Sequence, residues 1–454
     1  MSSVLDLIGS TPVIEVTRID CGPCRLFLKL ESANPSGSLK DRPARSMIEA
    51  AEADGTLKPG GTIVEATAGN TGLGLALVGG RKGYRTLLVV PDKMAREKVL
   101  HVKAMGADVV ITRSDVSKGH PDYYQDLAQS LTQRTPNAVF INQFANPANP
   151  LAHETTTGPE ILRQMEGDLD AVVLGVGSGG TLTGVGRFLR QASPQTEMIL
   201  ADPQGSVLAP LVETGRMIDV GSWAVEGIGE DFVPPNADLS LVRKAFAIPD
   251  AESFATAREL LLKEGVLAGS SSGTLLAAAL RYARAQPQPK RIVTLVCDSG
   301  AKYLSKVFNP TFLAQEGWTH PHAHGTVRDV VVSSYSEGTA VVVRPQDTVR
   351  TVFARMRSAD VSQLPVVESG HVVGLVDESD VLAALLTESD SNKVFARPVK
   401  DVMVTRVETI SADAPIADLV PLFRKDYVAI VMDGDQFLGV ATRLDLINYF
   451  RITR

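Results

Sequence analysis

From about residue 40 to residue 310, short apolar runs of strand length alternate with longer helical stretches, and this alternation limits the fold more than any other feature of the chain. The runs are Thr62–Ala66, Thr86–Val90, Asp108–Ile111, Ala171–Leu174, Met198–Leu200 and Ile292–Val296. They are rich in Val, Ile and Leu in continuous blocks, which marks strands buried on both faces. Strands that alternate with helices pair in parallel, so the sequence predicts an α/β fold with twisted, mostly parallel sheets and helices on both faces. Ligands of such sheets bind beyond the carboxyl ends of the strands. The informative residues are therefore expected in the loops that follow these runs.

Composition sets outer limits. At 454 residues the chain is too long for one ordinary domain and suits a large catalytic domain with an appendage. No run approaches the roughly 20 apolar residues that span a bilayer, and the first residues lack a basic stretch followed by an apolar signal core. The expected setting is the cytoplasm, without a membrane partner. A formal net charge of -7 with no basic block excludes nucleic acid as a main partner, because phosphate neutralisation needs clustered Lys and Arg. Cys21, Cys24 and Cys297 are too few for a disulfide scaffold. Cys21-Gly22-Pro23-Cys24 has redox spacing, but Arg25–Leu30 after it reads as a strand, which offers no helix dipole to a thiolate. A hairpin turn with incidental thiols is the simpler reading, and a regulatory disulfide is the other.

The alternation stops after Asn309-Pro310, and the stretch from Trp318 to Gly325 reads as a linker. His320, His322 and His324 alternate there without an acidic partner, so no metal site is expected. The domain reading is residues 1–315, a linker at 316–326, and a second region at 327–454 with repeats at about 327–390 and 399–454. The repeat appears when Leu364 to Asp380 is laid over Tyr427 to Asp445, which aligns Gly374 with Gly439 and Asp380 with Asp445. Each copy reads strand, helix, strand, strand, helix, with the aspartate near the start of the last helix. An aspartate so placed can accept hydrogen bonds from a ribose, while helix-terminal N–H groups suit a phosphate. Thr442 precedes Asp445 by three residues, whereas the first copy has Asp377 in the hydroxyl position, where its charge repels a phosphate.

Three loops in the first region carry chemistry. Asn34-Pro35-Ser36-Gly37-Ser38-Leu39-Lys40-Asp41-Arg42-Pro43-Ala44 is a small-residue loop opening a helix, and a lysine there has its amine directed into a cleft. Such a lysine forms a Schiff base if its surroundings keep part of it neutral. Thr67-Ala68-Gly69-Asn70-Thr71-Gly72 leads from a strand into an apolar helix whose unpaired N–H groups suit a carboxylate. Gly177-Ser178-Gly179-Gly180-Thr181 follows another strand, and its glycines let backbone amides approach a phosphate.

In this order the segments NPSGSLKDRPA, TAGNTG and GSGGT resemble the fold type II pyridoxal phosphate enzymes, the tryptophan synthase β-like group, over roughly the first 310 residues. The resemblance implies that Lys40 carries pyridoxal 5'-phosphate, that Asn70 meets its phenolic oxygen, and that Gly177, Ser178, Gly179, Gly180 and Thr181 hold its phosphate. Ser271, in Ala268-Gly269-Ser270-Ser271-Ser272-Gly273, is then the residue that offers a hydroxyl to the pyridine nitrogen. A neutral hydroxyl leaves that nitrogen unprotonated and favours elimination over other carbanion chemistry. Thr67, Ala68, Thr71, Gln143 and Gly229 are the implied substrate contacts.

Within the group, Pro91 to Lys98 and Val225 to Phe232 are similar to the cystathionine β-synthases, which join serine to homocysteine and also release hydrogen sulfide. The repeated region resembles a tandem CBS module, whose members often bind adenosyl ligands such as S-adenosylmethionine. This implies a regulatory role for Asp380, Thr442 and Asp445 and a homodimer, with a tetramer as the other arrangement. The catalytic pattern starts almost at the N-terminus, so no haem is expected. Phe144, where many synthases place a tyrosine, and Ala68, where a serine is common, pull toward O-acetylserine sulfhydrylase. Serine's hydroxide needs a proton to leave, with Lys40 as one candidate donor, whereas acetate leaves readily. From another class, a non-catalytic adenosyl-ligand sensor is the competing reading.

Overall fold

A computed structural model of the chain describes residues 3–453 except Ala68, Lys93, Ala95, Lys118, residues 319–324, Glu337, Asp426 and the side chain of Arg96. It divides into two compact units, Met1–Phe308 and Asn309–Arg454. The helix Pro310–Gln315, given to the first region by the sequence reading, groups with the second unit. His320, His322 and His324 lie outside the described residues.

The first unit is built on two sheets. One takes strands β1 (Val13–Glu15), β2 (Arg25–Lys29), β7 (Ala171–Gly175), β8 (Glu197–Pro203), β9 (Lys244–Ile248) and β10 (Arg291–Leu295) in the order β1-β2-β10-β7-β8-β9. The other takes β3 (Thr62–Glu65), β4 (Arg85–Pro91), β5 (Asp108–Thr112) and β6 (Ala138–Phe140) in the order β5-β4-β3-β6. Every pairing is parallel except β1 with β2. The six apolar runs all fall on strands. Three further strands, β1, β6 and β9, escaped the sequence reading because Val13–Glu15 and Ala138–Phe140 are short and Lys244–Ile248 carries an exposed lysine.

The helices that matter for the site are α1 (Asp41–Ala53), α2 (Asn70–Lys82), α3 (Gly180–Ala192), α4 (Asp250–Glu264) and α5 (Ser270–Arg284). Helix α5 is buried along almost its whole length, and its small residues Ala277, Ala278 and Ala279 let it pack tightly against α4 and the first sheet. A helix apolar all round belongs in a core. Leu275 and Leu276 are each 1% exposed and contribute roughly 1.5–3 kcal/mol apiece. In α2, Gly74 permits close approach to α1, since a Cβ there would lie 2.8 Å from the Lys40 carbonyl oxygen.

Below the start of α1 lies a buried charge network. The Arg42 guanidinium donates in pairs to Glu31 (2.7 and 2.8 Å) and Glu160 (2.8 and 2.7 Å), and Lys29 Nζ sits 2.9 Å from Glu160 Oε2. These contacts hold Glu160 down to about 2 against the burial that pushes it up. Removing one member would strand an uncompensated charge, the costly case for buried ion pairs.

The second unit contains a four-stranded sheet in the order β11 (Ser333–Ser334), β16 (Gln436–Ala441), β15 (Ala429–Asp433) and β14 (Thr409–Ser411), and a hairpin of β12 (Gln363–Glu368) and β13 (His371–Asp377). The repeat is visible in its irregularities: the register shifts between Val366 and Val367 in one hairpin and between Val431 and Met432 in the other. Gly374 and Gly439 pair with the residue just before each shift. Helices α6 (Glu378–Thr387) and α7 (Arg443–Thr453) follow the hairpins. In the first copy the expected opening strand is reduced to a single bridge between Val343 and Val366. Among the described residues no helix is long and apolar enough to cross a membrane, and no group of His, Cys, Asp and Glu is arranged to hold a metal ion.

Candidate active site

The loops that leave the carboxyl ends of β3, β6, β7 and β10 converge on one cavity of about 270 Å³. Its walls bring together Lys40, Thr67, Asn70, Thr71, Gln143, Gly177 through Thr181, Gly229 and Ser271. Ala68 lies outside the described residues. Lys40 caps the N-terminus of α1, and its loop is clamped to the end of β10, with the Leu39 N–H donating to the Cys297 carbonyl at 2.9 Å. Burial pushes the Lys40 amine below the usual lysine range, although Cys297, Asp298 and Glu230 pull the other way. A lysine with part of its population neutral is a nucleophile and a base.

Gly179 opens α3 with φ +85°, and a Cβ there would lie 2.6 Å from the Ala237 nitrogen. Only glycine fits, and the unpaired N–H groups of a 13-residue helix face the cavity. A phosphate has both the donors and the dipole it needs there. Around this loop, Asn149 Nδ2 donates to Ser178 Oγ at 2.9 Å, and Thr181 Oγ lies 3.2 Å from His153 Nε2. Burial, then Lys40 and Arg42, hold His153 well below its ordinary value, so its ring is neutral. The start of α2 forms the opposite wall. There Thr71 Oγ1 donates to Gln143 Oε1 at 2.6 Å, and the Gln143 N–H donates to Glu65 Oε2 at 3.0 Å. Glu65 is buried at the end of β3, and burial raises it to about 7.

Asn70 is oriented from two sides: its Nδ2 donates to Asp298 Oδ2 at 2.7 Å, and its Oδ1 accepts from Lys302 Nζ at 2.6 Å. Tyr303 donates to the same Asp298 oxygen at 2.6 Å. The Asn70 side chain also hydrogen-bonds the Tyr303 hydroxyl. The Ser271 hydroxyl stands against the Cys297 thiol, which burial pushes up to about 12. The adjacent Ser272 Oγ accepts the Cys297 N–H at 2.9 Å. These residues fit pyridoxal phosphate: a buried amine held below the usual lysine range, a glycine cradle at a helix start and a hydroxyl at the far wall.

Sequence reading missed Asn149, His153, Glu230, Cys297, Asp298, Lys302 and Tyr303. Most carry no local motif. Cys297-Asp298-Ser299 does follow an apolar run at a strand's carboxyl end, which was a usable signal. Cys21 and Cys24 are both buried, their thiols donating to the carbonyls of Ile19 and Ala283, and burial raises Cys21 to about 11. That setting suits inert thiols rather than a reactive pair.

In the second unit the Thr442 N–H and Oγ1 both donate to Asp445 Oδ2, at 2.8 and 2.7 Å. Asp377 and Asp380 form a reciprocal cap on α6, at 2.8 and 3.0 Å.

Comparison with known proteins places these features in a family. Residues 4–298 match the pyridoxal-phosphate dependent enzyme model, and residues 327–387 and 399–452 match the CBS domain model. Cystathionine β-synthase of Oryctolagus cuniculus is 35% identical over 99% of this chain and 85% of its own length. The Saccharomyces cerevisiae synthase is 33% identical over 98% and 97%. Cysteine synthase A of Escherichia coli is 41% identical, over 66% of this chain and 92% of its own. Two solved structures align with TM-scores of 0.62 and 0.63, a hydrogen sulfide-producing enzyme of Fusobacterium nucleatum and O-ureido-L-serine synthase. They are 34% and 35% identical and cover 67% and 68% of this chain, and 100% and 95% of their own. With both its units matched, the chain belongs to the cystathionine β-synthase family of pyridoxal-phosphate dependent enzymes.

Proposed function

We propose that the chain condenses L-serine with L-homocysteine to L-cystathionine by β-replacement, and releases hydrogen sulfide when cysteine takes the place of serine. One observation carries this reading: Lys40, the glycine cradle and the carboxylate-receiving start of α2 share one cavity. The chain around that cavity aligns from end to end with cystathionine β-synthases. Pyridoxal phosphate supplies an electron sink for the charge left when the α-proton departs. Gly177, Ser178, Gly179, Gly180 and Thr181 hold its phosphate, Asn70 its phenolic oxygen and Ser271 its ring nitrogen. Lys40 would hold it covalently, and its amine would take and return the substrate's α-proton. Thr67, Thr71 and Gln143, with the N–H groups of α2, receive the amino-acid carboxylate and fix the Cα–H toward Lys40. Gly229 forms part of the facing wall.

In the second unit Thr442 and Asp445 are placed to receive the sugar of an adenosyl ligand, S-adenosylmethionine or a nucleotide, and Asp380 is the weaker counterpart. We place the enzyme in the cytoplasm, a reading supported by three free buried cysteines. A homodimer is supported by apolar side chains exposed on α6 and α7, Leu386 (79%) and Ile447 (62%) among them.

The second reading, sulfide addition to O-acetylserine, is favoured by the 41% identity to cysteine synthase A and by Phe144 in the cavity wall. The test is a four-way assay of serine and O-acetylserine, each with homocysteine and with sulfide. Cystathionine from serine and homocysteine is the expected main product. Rapid turnover of O-acetylserine and sulfide alone would overturn the assignment, and a purified chain lacking a cofactor absorbance band would favour a non-catalytic sensor.

A further inference from the structure

The inner cavity opens into an outer one of about 1470 Å³. Nine residues line both, so they frame the passage by which a β-substituent leaves and a thiol arrives: Thr67, Gly69, Asn70, Gln143, Phe144, Trp223, Val225, Gly227 and Glu230. Of these described residues Glu230 alone has a side chain that titrates. Resting on the β-replacement reading above, we propose that Glu230 is the acid that protonates the departing hydroxyl group of serine, and the base that then takes the proton of the incoming thiol.

The loop that carries Glu230 is fixed. Its N–H is 3.0 Å from Ser206 Oγ, and its carbonyl accepts from Ser206 Oγ at 3.1 Å and the Val207 N–H at 3.1 Å. The preceding Gly229 donates to the Val176 carbonyl at 2.8 Å, which ties the loop to the end of β7. The carboxyl lies near the phosphate cradle, with Oε1 4.0 Å from where a Cβ on Gly177 would stand. Burial, then Asp231 and Asp202, raise Glu230 to about 8, against Lys40, which lowers it. Tyr123 and Tyr124, raised mainly by burial, also feel its charge. Asp202, whose charge Glu230 feels, is buried with Oδ1 unpartnered among the described residues.

The step balances. The Cβ–O bond breaks with its electron pair on oxygen, the Glu230 proton joins that oxygen, and water leaves. The thiol then gives its proton to the Glu230 carboxylate as sulfur bonds to Cβ. Lys40 keeps the α-proton throughout, so the two transfers stay independent. Acetate needs no proton to leave, and at pH 8 sulfide is already ionised, so O-acetylserine with sulfide needs neither service of Glu230.

The experiment compares the holoenzyme with Glu230→Gln and Glu230→Asp at pH 8, reading cofactor absorbance, exchange of serine's α-proton into D2O by NMR, and turnover. In Glu230→Gln, cystathionine formation from serine is expected to fall about 100-fold. Absorbance, α-proton exchange and O-acetylserine turnover with sulfide should stay within about threefold, and Glu230→Asp should recover part of the loss. The decline of serine turnover as pH rises through about 8 should disappear in Glu230→Gln. Serine turnover at wild-type rate in Glu230→Gln, or equal losses from both donors, would overturn the proposal. Absence of α-proton exchange in the wild-type chain would overturn the functional reading itself, and the proposal with it.

Discussion

The cavity of the first unit and the helix start at Asp445 in the second are built on opposite plans. In the cavity the side chains that would meet a ligand are held by other residues: Asn70 by Asp298 and Lys302, Thr181 by His153, and the Lys40 loop by the strand end at Cys297. Protein hydrogen bonds set their positions, the condition for a catalytic site. At the second site Thr442 and Asp445 bind each other, as do Asp377 and Asp380. The adenosyl ligand proposed for that helix start would compete with an existing hydrogen bond, which suits weak, reversible binding. Preorganisation is thus concentrated where bonds are made and broken.

Four variants sharpen or break this comparison. Lys40→Ala should lower β-replacement turnover by more than about 10³-fold, because it removes both the covalent anchor and the α-proton base. Near-normal turnover would dissolve the catalytic half of the comparison. Next in size, Arg42→Met strips Glu31 of its paired cation, leaves Glu160 with Lys29 alone and should cost about 3–5 kcal/mol of stability by denaturant titration. Glu160 is held near 2, below its usual 4.5, so its contribution is full above pH 4.5 and fades as pH falls toward 2. The gap between wild type and variant should narrow over that interval. A gap constant with pH would mean the network is not what supports α1. Smallest is the pair proposed to receive an adenosyl ligand: Asp445→Asn should weaken that ligand about tenfold, and Asp380→Asn should leave it within about twofold, by isothermal titration. Equal losses would mean that the two copies bind alike.

Lys40, the Gly177 loop and Asn70 stood out because each belongs to a short motif after a strand or at a helix start, where local chemistry suits a ligand, whereas Ser271 came from the family resemblance alone. The parallel sheets were legible from continuous Val, Ile and Leu runs. Asp298 was not, since its partner Asn70 is 228 residues away and nothing local pairs them. Glu230 reads as one acidic residue among several, and only its burial and its place between two cavities set it apart. The repeated unit was read from Gly374, Gly439 and their aspartates, while the lost opening strand of the first copy leaves no mark in its apolar pattern.

The pairing of β2 with β10, residues 25–29 against 291–295, has a consequence for synthesis. A chain leaving the ribosome holds its second strand without its parallel neighbour until some 260 further residues have emerged. The Lys40 loop, clamped to Cys297, waits as long. Such distant pairing slows folding and exposes apolar edges meanwhile. The nascent first unit should therefore depend on chaperones until residue 300 is made, and cofactor loading belongs after that moment rather than during translation.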